Sequence, residues 1–431
     1  MKASTGRVLM LVENEFPRDT RVRNEAFTLA AAGLHVSVIA LRGEGEKRRE
    51  LLDGVSVHRI PRLTVFKKLP QEKRSPLAAF VNRVRILVGY ISEYVYFTTA
   101  CLVFSCRIAL KEGIDVIHAH NPPDTLFLVG AFHKLFGTKF VFDHHDLCPE
   151  LYRSRYATPN GLLTRGLAFC ERASVKLANI VIATNESYRA IDIERNGIAP
   201  DRVFIVRNGP DLSRVRLTDP DPELRGRAKV ILGYLGAMNP QDGVDYLLRA
   251  LDCLRHGLNR SDFHCIVIGD GDSLEELRQL ARELRLAECV TFTGFIPDRD
   301  MVRYLSTVDI CLDPNPSSPL NDVSTWIKVM EYMALGKPVV SFDLKETRVS
   351  AGDAAAYVEP NNETEFAKAI AALMDDPARR AKMAEVGRAR VQHELGWHVT
   401  SRNLLLAYER LLQKPLVPVA EVRQFSGGTS S

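Results

Sequence analysis

A lysine and a glutamate three residues apart stand in an apolar helical pattern in the second half of the sequence. The stretch from Ser324 to Ser341 predicts a helix, a Gly-Lys-Pro stop and a buried strand. On that helix Lys328 and Glu331 share a face, and a surface ion pair is one interpretation. The other is a nucleotide site: Glu331 accepts hydrogen bonds from ribose hydroxyls, Lys328 faces phosphate, and Ser324 leaves free N–H groups beside that phosphate.

Histidines gather near the predicted ends of two strands in the first half. The strands are Ile114–His118 and Phe140–Phe142, and ligands of open parallel sheets bind at the carboxyl ends of strands. The side chains at these ends are His118, His120, His144, His145 and Asp146. A histidine alone is more often structural, but two such clusters favour a cleft. No HExxH or comparable spacing accompanies them, so we expect no metal.

Two arginines stand in the first turn of a helix predicted from about Thr20 to Ala32. Asp19 or Thr20 caps this helix, and Arg21 and Arg23 follow. Cations at a helix N-terminus oppose its dipole. An anionic ligand would explain them, and plain solvent exposure is the alternative for either residue.

Composition gives the class of protein. The chain has 431 residues, 46% hydrophobic and 26% charged, which suits a globular protein of two or three domains. The formal charge of +4 is too small to indicate nucleic acid as a partner. The 8 cysteines form no CxxC pair, so we expect reduced thiols in a cytoplasmic protein. The N-terminus shows no signal peptide.

Strand and helix patterns alternate twice along the chain. The first series opens with strands Arg7–Glu13 and Val36–Ala40 around a helix, and the second opens with Val230–Leu235 after a linker at residues 211–228. Such alternation predicts an α/β protein with two Rossmann-like, doubly wound domains. In the second series, Gly269 and Gly271 would let backbone come close to a ligand.

Two segments raise the question of a membrane. The basic residues Lys47, Arg48, Arg49, Arg59, Arg62, Lys67, Lys68, Lys73 and Arg74 crowd one early segment. A solvated loop is the default interpretation, and attraction to an anionic membrane surface is the alternative. The apolar stretch Ile86–Cys106 is long enough to span a bilayer, but its polar residues favour a buried helix with one edge exposed to lipid.

The order of these motifs resembles the family 4 glycosyltransferases, of the GT-B fold. The most specific part is KVMEYMALGKPVV, similar to the C-terminal glutamate motif of that family. GYLGAMNPQDGVDYLLRAL, IGDGD, VTFTGFIP and VDICLDPNP follow the order of the family. FPRDTRVRNEAFTLAAAGLHVSVIA, HAHNPPD and DHHDLCPELY look most like bacterial enzymes of surface-polysaccharide assembly, such as O-antigen and exopolysaccharide glycosyltransferases.

The resemblance implies roles for particular residues. Glu331 matches the second glutamate of an E-x7-E motif, which holds the donor ribose, and His120 matches a histidine near the reacting sugar. The first glutamate falls at Val323, where adjacent Asp322 is the substitute. The phosphate-binding Arg and Lys of the family fall near Ala237 or Met238 and at Asp242, and both are absent. Lys328, its helix N-terminus, and Arg21 or Arg23 are the remaining candidates for positive charge.

The resemblance further implies a retaining, metal-independent enzyme without a cofactor. It would move a sugar from a nucleotide diphosphate to a carbohydrate or lipid-linked acceptor, in the cytoplasm or at the inner membrane face. Residues 1–210 would bind the acceptor, with His118, His145 and Asp146 in its cleft, and residues 211–395 the donor. A helix at residues 396–415 would return to the first domain, before a disordered tail at residues 416–431. A nucleotide-sugar 2-epimerase and a non-catalytic scaffold subunit are the alternatives.

Overall fold

A computed structural model describes residues 6–63, 76–156 and 161–416 of the chain. These residues form two compact units. The first comprises residues 6–149, 161–206 and 401–416, and the second comprises residues 150–156 and 207–400. The sequence prediction placed the boundary at residues 210 and 211 and the returning helix at residues 396–415.

The first unit is built on an eight-stranded sheet. Its strand order is β3-β4-β2-β1-β5-β6-β7-β8, and every neighbouring pair is parallel except the β3–β4 hairpin. The strands are β1 (Arg7–Glu15), β2 (His35–Leu41), β3 (Arg49–Leu52), β4 (Val55–Ile60), β5 (Val116–His120), β6 (Lys139–His144), β7 (Ile180–Ala183) and β8 (Val203–Ile205). The helices are α1 (Thr20–Ala31), α2 (Pro76–Glu112), α3 (Phe127–Lys134), α5 (Leu162–Leu177) and α6 (Glu186–Glu194), and α4 (Cys148–Tyr156) begins in this unit and continues into the second.

The second unit is built on a six-stranded, all-parallel sheet of order β11-β10-β9-β12-β13-β14. Its strands are β9 (Val230–Leu235), β10 (Phe263–Ile268), β11 (Val290–Gly294), β12 (Ile310–Asp313), β13 (Val339–Phe342) and β14 (Ala355–Val358). The helices are α7 (Pro222–Arg225), α8 (Val244–Asp252), α9 (Leu274–Glu283), α10 (Asp298–Thr307), α11 (Ile327–Ala334), α12 (Lys345–Ala351), α13 (Glu363–Asp375) and α14 (Pro377–Arg390). A last helix, α15 (Trp397–Leu412), runs from the second unit into the first.

Both faces of the second sheet are covered. Successive residues of β9 enter different cores, because side chains alternate along a strand: Ile231 packs in one core and Leu232 in the other. Val339 and Val340 of β13 divide in the same way. Burial on both faces explains why these strands read as continuous apolar runs. The prediction of an α/β protein with doubly wound parallel sheets is confirmed.

Several predicted boundaries were wrong in ways that affect the site. The strand expected at Ile114–His118 lies at Val116–His120, so His118 and His120 belong to the strand itself. β6 likewise extends through His144. The helix of the nucleotide motif begins only at Ile327. Asp19 caps α1 as expected, accepting a hydrogen bond from Val22 N.

In the described residues, the early basic segment is only partly the solvated loop that its charges predicted. A hairpin of β3 and β4 occupies part of it, turning at Asp53 and Gly54, both with positive φ. Arg59 of β4 is buried, and its guanidinium pairs with Glu46 and Glu50. Lys67, Lys68, Lys73 and Arg74 lie outside the described residues.

The apolar stretch Ile86–Cys106 lies within the long helix α2. In α2 the segment Val88–Glu112 has the length and the mean hydropathy, 1.2, of a membrane-crossing helix, and 28% of its most apolar window is buried. A core helix of a globular protein passes the same test. An apolar stripe along α2 is exposed, comprising Val84, Val88, Ile91, Val95, Val103 and Leu110. α2 therefore has a covered side and an uncovered apolar side.

All 8 cysteines lie among the described residues and are free thiols. Cys101, Cys148, Cys265, Cys289 and Cys311 are buried, and Cys106, Cys170 and Cys253 are partly buried. Burial raises the pKa of the Cys265 and Cys311 thiols well above the ordinary value, so both stay protonated and unreactive.

Candidate functional site

In the second unit, α11 lies against the carboxyl ends of two sheet strands. Tyr332 of α11 accepts a 2.7 Å hydrogen bond from the backbone N–H of Leu235, the last residue of β9. Lys328, one turn earlier, reaches Asp313, the last residue of β12, at 3.2 Å. Ligands of open parallel sheets bind at this edge. The helix predicted to carry the nucleotide site therefore stands where such a site belongs.

Lys328 is enclosed by groups that fix its position. Its ammonium donates a hydrogen bond to Asn315 Oδ1 and lies over the rings of Tyr234 and Trp326, 4.7 and 5.3 Å from the two centroids. With the Asp313 carboxylate, these contacts satisfy a cation whose side chain is only 8% exposed. The charge of Lys328 is thus partly neutralised within the protein.

Glu331 faces an arginine that the sequence analysis missed. Its Oε1 accepts a 2.6 Å hydrogen bond from Nη2 of Arg214, in the segment that was predicted to be a linker. Nη1 of the same guanidinium bonds Asp298 Oδ2 at 2.9 Å. Burial raises the pKa of the Glu331 carboxyl, and the charge of Arg214 opposes that rise. Arg214 belongs to a predicted linker, whose composition suggested no structure. Only the folded arrangement of that segment brings Arg214 to α11.

The helix was predicted to begin directly after Ser324, and that boundary was wrong. The residue before α11 is Trp326, and Ser324 instead ends a 3-10 turn at Asn321–Val323. The Ser324 hydroxyl donates to Leu320 O at 2.7 Å. Trp326, the N-cap residue of α11, makes no side-chain capping hydrogen bond. The first N–H groups of a helix are the ones that can bind an anion.

The glycines after β10 serve the packing of two loops. A Cβ on Gly269 would lie 2.0 Å from Gly236 O, and one on Gly271 would lie 2.5 Å from Met238 N. Met238 N donates to Asp270 O at 3.0 Å, which joins the loops after β9 and β10. The approach of these glycines to a ligand stays a prediction. In the structure both allow close approach of neighbouring backbone.

Asp242 has a structural task at the position where the family has a phosphate-binding lysine. Its Oδ2 accepts hydrogen bonds from Asn239 N at 3.0 Å and from Asn239 Nδ2 at 3.1 Å, closing a capping box. This box shapes the turn between β9 and α8. The carboxylate is thus a cap, and it does not supply the positive charge that the resemblance implies at this position.

Asp322, proposed as the substitute for the missing first glutamate, stands in the 3-10 turn Asn321–Val323 and is partly buried. The Ser317 hydroxyl donates to its Oδ2 at 3.2 Å. Neighbouring Asn321 bonds Gln241 O and Pro316 O, each at 2.8 Å. The turn is therefore anchored, and its carboxylate is held in place.

In the first unit, Asp143 joins several of the predicted residues, although it was not itself predicted. It pairs with His120 across the β5–β6 ladder, and its Oδ2 lies 2.7 Å from His120 Nδ1. Arg21 donates to both oxygens, at 2.6 and 2.7 Å, and His145 Nδ1 is 3.4 Å from Oδ2. Burial would raise the pKa of Asp143, but the charges of Arg21 and His145 lower it well below the ordinary value.

These contacts correct the interpretation of Arg21. We expected an anionic ligand or solvent, yet its guanidinium is buried and pairs with Asp143 and with Glu25 at 3.2 Å. The positive charge in the first turn of α1 therefore serves two carboxylates of the protein. Arg23 is partly buried on the same helix.

His118 and His120 stack on the same face of β5, with ring centroids 4.3 Å apart. Burial, followed by the neighbouring His120, lowers the pKa of His118 well below the ordinary value, so the ring is neutral. His118 Nδ1 lies 2.9 Å from the hydroxyl of Tyr408 on α15. His118 is thus a buried partner of the last helix. Its place in an acceptor cleft stays a prediction, and the ring has no accessible surface in this structure.

One cluster has the composition of a metal site. Glu25, His118, His120 and Asp143 each offer a ligand atom, and these atoms lie within 4.8 Å of one another. The Arg21 guanidinium, however, already pairs with both carboxylates and fixes a positive charge in the same space. That charge disfavours a divalent cation, so the geometry fits an ion-paired polar network better.

His145, Asp146 and His144 separate into two environments. Asn121 Oδ1 accepts from the backbone N–H groups of His145 and Asp146, at 2.9 and 3.2 Å. His144 points away, with Nδ1 2.7 Å from Asp192 and Nε2 3.7 Å from Glu171. Burial opposes its charge, but these carboxylates raise the pKa of His144 well above the ordinary value. His144 is therefore a structural cation.

Two family models match the chain in succession. A glycosyl transferase 4-like domain matches residues 19–209, and a domain described as glycosyl transferases group 1 matches residues 229–376. With two doubly wound units in this order, the chain is a glycosyltransferase of the family 4 type and has the GT-B fold.

Individual proteins resemble it over most of their length. The 2-deoxystreptamine glucosyltransferase of Streptomyces kanamyceticus is 24% identical, over 79% of this chain and 88% of its own. Sucrose-phosphate synthase from Thermosynechococcus elongatus superposes with a TM-score of 0.70 at 19% identity, covering 95% of this chain and 99% of its own. Anabaena HepE in complex with UDP-glucose gives a TM-score of 0.65 at 18% identity, covering 94% and 99%. These structures agree in fold.

Proposed function

We propose that this glycosyltransferase moves a sugar, with retention of configuration, from a nucleotide diphosphate to a carbohydrate or lipid-linked acceptor. The observation that carries the proposal is α11, which holds Lys328 and Glu331, nearly buried, at the carboxyl ends of β9 and β12. A buried carboxylate suits a ribose diol, because the hydroxyls supply the hydrogen bonds that such a carboxylate needs. The UDP-glucose held by the similar Anabaena protein supports a donor of this class.

The second unit would stabilise the leaving diphosphate. In the transfer, the bond between the anomeric carbon and the diphosphate oxygen breaks, and the acceptor oxygen bonds the same carbon from the same face. The acceptor proton passes to the departing phosphate oxygen. The N–H groups at the start of α11 and the Lys328 ammonium face the negative charge that develops there. Such stabilisation requires no metal ion, and we propose a metal-independent reaction.

His120 and Asp322 are the proposed contacts to the donor sugar. His120 Nδ1 is engaged by Asp143, while Nε2 has no hydrogen-bond partner among the described residues. If Nδ1 carries the proton, Nε2 is left as an acceptor for a sugar hydroxyl. The ring is fully buried, so this contact requires the side chain to become accessible when the donor binds. Asp322 would accept from a second hydroxyl, in the role of the missing glutamate.

The acceptor is proposed to be presented at the inner face of the cytoplasmic membrane. The exposed stripe of α2 from Val84 to Leu110 would lie in the interface, as amphipathic helices do. The enzyme would thus be cytoplasmic and peripheral, and would reach a lipid-linked sugar of the envelope. In flotation with vesicles of phosphatidylglycerol and phosphatidylethanolamine, the protein should float, and V88E/V95E should stay in solution. Wild type that remains in solution would contradict the membrane step alone.

Thermal-shift binding tests the donor. UDP, GDP and their glucose, mannose and N-acetylglucosamine derivatives are offered to wild type, Glu331→Gln and Lys328→Met. A ligand that binds the folded state raises the melting temperature by mass action. We expect one nucleotide to raise the melting temperature of wild type and to raise the melting temperatures of both variants by less. Lys328→Met also uncovers Asp313. Its control is Lys337→Met, which lies beyond the other end of α11 and removes a lysine hydrogen bond to Ser306 O.

A product assay separates the proposed transfer from its alternatives. The donor that binds is incubated with membrane extract and, separately, without acceptor. Sugar incorporated into extract supports transfer, whereas an epimerised nucleotide sugar in the acceptor-free sample supports the 2-epimerase. Wild type that binds none of the nucleotides would support the scaffold subunit.

A further inference from the structure

The second unit lacks two cations where a donor diphosphate needs them. Ala237 and Met238 carry no charge, and Asp242 is a cap with the opposite sign. Lys328 remains, but Asp313 and Asn315 already hold its ammonium. One lysine in contact with a buried carboxylate is a weak counter-charge for a leaving diphosphate.

Arg214 is the cation that is placed beside the proposed ribose carboxylate. It uses one nitrogen for each partner: Nη2 for Glu331 and Nη1 for Asp298. Its Nε is buried, and no hydrogen-bond partner for it exists in the described part of the chain. A guanidinium has five N–H donors in a planar fork that matches phosphate oxygens. Arg214 therefore has donors to spare.

The two partners hold Arg214 with unequal strength. The Glu331 side chain is 9% exposed and that of Asp298 is 61% exposed. An ion pair with an exposed carboxylate contributes little, whereas a buried carboxylate cannot lose its counter-charge without a large penalty. A competing anion would therefore displace Asp298 and leave the pair with Glu331 intact.

Glu331 can maintain its ion pair with Arg214 and still accept a hydrogen bond from ribose. The described hydrogen bond to its side chain ends on Oε1. The second oxygen is free to accept from a hydroxyl, so ribose and guanidinium can share one carboxylate. Bound in this way, Arg214 would lie between the ribose site and the phosphates that follow it.

We propose that Arg214 binds the donor diphosphate, exchanging Asp298 for phosphate while it keeps Glu331. It would supply the positive charge that Asp242 and its neighbours do not. The inference rests on the proposed function, because it takes Glu331 as the ribose ligand. It assigns to the segment between the two sheets a direct part in donor binding.

The test compares diphosphates with nucleosides. Affinities for UDP and uridine, and for GDP and guanosine, are measured by calorimetry on wild type, R214Q, R214K and D298N. A charge-assisted hydrogen bond contributes about 1.5–3 kcal/mol, so R214Q should weaken the diphosphate about 10- to 100-fold. Because Gln can still donate to Glu331, the nucleoside should weaken by a clearly smaller factor than the diphosphate, and R214K should fall between. D298N should strengthen the diphosphate about 2- to 5-fold, the range for loss of an exposed pair. R225Q, which removes an Arg pair with Asp309 in the same unit, is the matched control.

Distinct outcomes separate this inference from the proposed function. Wild type that binds neither diphosphate contradicts both. Wild type that binds a diphosphate, with R214Q weakening diphosphate and nucleoside by the same factor or not at all, overturns the role of Arg214 alone. If R214Q does not fold, D298N decides, and an unchanged diphosphate affinity overturns the inference.

Discussion

Tyr408 and His118 are hydrogen-bonded in the interior of the first unit, 2.9 Å apart and 290 residues apart in sequence. Both side chains are fully buried. Their contact joins α15 to β5 and leaves the imidazole with a partner on a helix that forms at the end of the described chain. The last helix is therefore an integral part of the first unit.

Replacing Tyr408 with Phe should destabilise the first unit. The change leaves His118 Nδ1 buried without its partner, which costs about 1–3 kcal/mol. Urea unfolding followed by fluorescence would measure the loss. Leu406→Ala, at an exposed position on the same helix, should change stability by less than about 0.5 kcal/mol. Equal stability of Y408F and wild type would show that this hydrogen bond contributes nothing.

Glu171 should make the protein sensitive to acid. Burial alone would raise its pKa, but His144, Arg195 and Asn196 lower the pKa to about 2. Because the folded pKa is below the ordinary value of 4.5, the stabilisation is complete above pH 4.5 and is lost as pH falls towards 2. It is on the order of 2–3 kcal/mol.

Glu171→Gln tests this dependence. The variant should be less stable than wild type at pH 6, and the difference in free energy of unfolding should shrink between pH 4.5 and 3. Glu186→Gln, at an exposed carboxylate of α6, is the control. A difference that does not change with pH would assign the effect to packing.

Glu13 should have the opposite dependence. Burial, and then the charge of Glu93, raise the pKa of this carboxyl to about 8. A raised folded pKa means that stability falls as pH rises from 4.5 to about 8, where the folded protein retains a proton that the unfolded chain has lost. Glu13→Gln should therefore gain stability relative to wild type over this range, by on the order of 1–2 kcal/mol. Melting temperatures of both proteins at pH 5 and pH 8 would show it, and parallel curves would contradict it.

Asp242→Lys would restore the residue type of the family without restoring its function. The lysine cannot accept from Asn239, so the capping box opens at a cost of about 1–2 kcal/mol. Asp242→Asn keeps an acceptor oxygen and should lose less than D242K. Chemical denaturation of the two variants measures the difference. A D242K protein as stable as wild type, with stronger diphosphate binding, would mean that the cap is dispensable.

The sequence predicted the alternation of strands and helices well, because parallel strands buried on both faces are continuous apolar runs. β9, for example, has the predicted bounds Val230–Leu235. The hairpin of β3 and β4 was not predicted, although Asp53-Gly54 is a strong turn signal. The charges around that dipeptide suggested a solvated loop, while the fold buries Arg59 between two glutamates.

The site was harder to predict, because its partners come from distant segments. Glu331 and Lys328 were recognised from one helix, but Arg214 lies 117 residues before Glu331. Asp143 was not predicted as a site residue, although it adjoins the predicted histidines. Arg21 was predicted to bind an anionic ligand because the sequence did not show that Glu25 and Asp143 are its partners. Spacing within one helix predicts a shared face. It does not predict which residue of another segment neutralises a charge on that face.

The three-part composition of the first unit affects the order in which the protein is completed during synthesis. Residues 207–400 emerge from the ribosome between β8 and the part of α15 that carries Tyr408. At about 5–20 residues per second, their synthesis takes on the order of 10–40 s. During that interval Tyr408 has not been synthesised, so His118 lacks its hydrogen-bond partner. The second unit can fold as soon as residue 400 has emerged. The first unit is therefore begun first and completed last. A chain released after residue 400 but before Tyr408 would contain the complete second unit and an incomplete first unit.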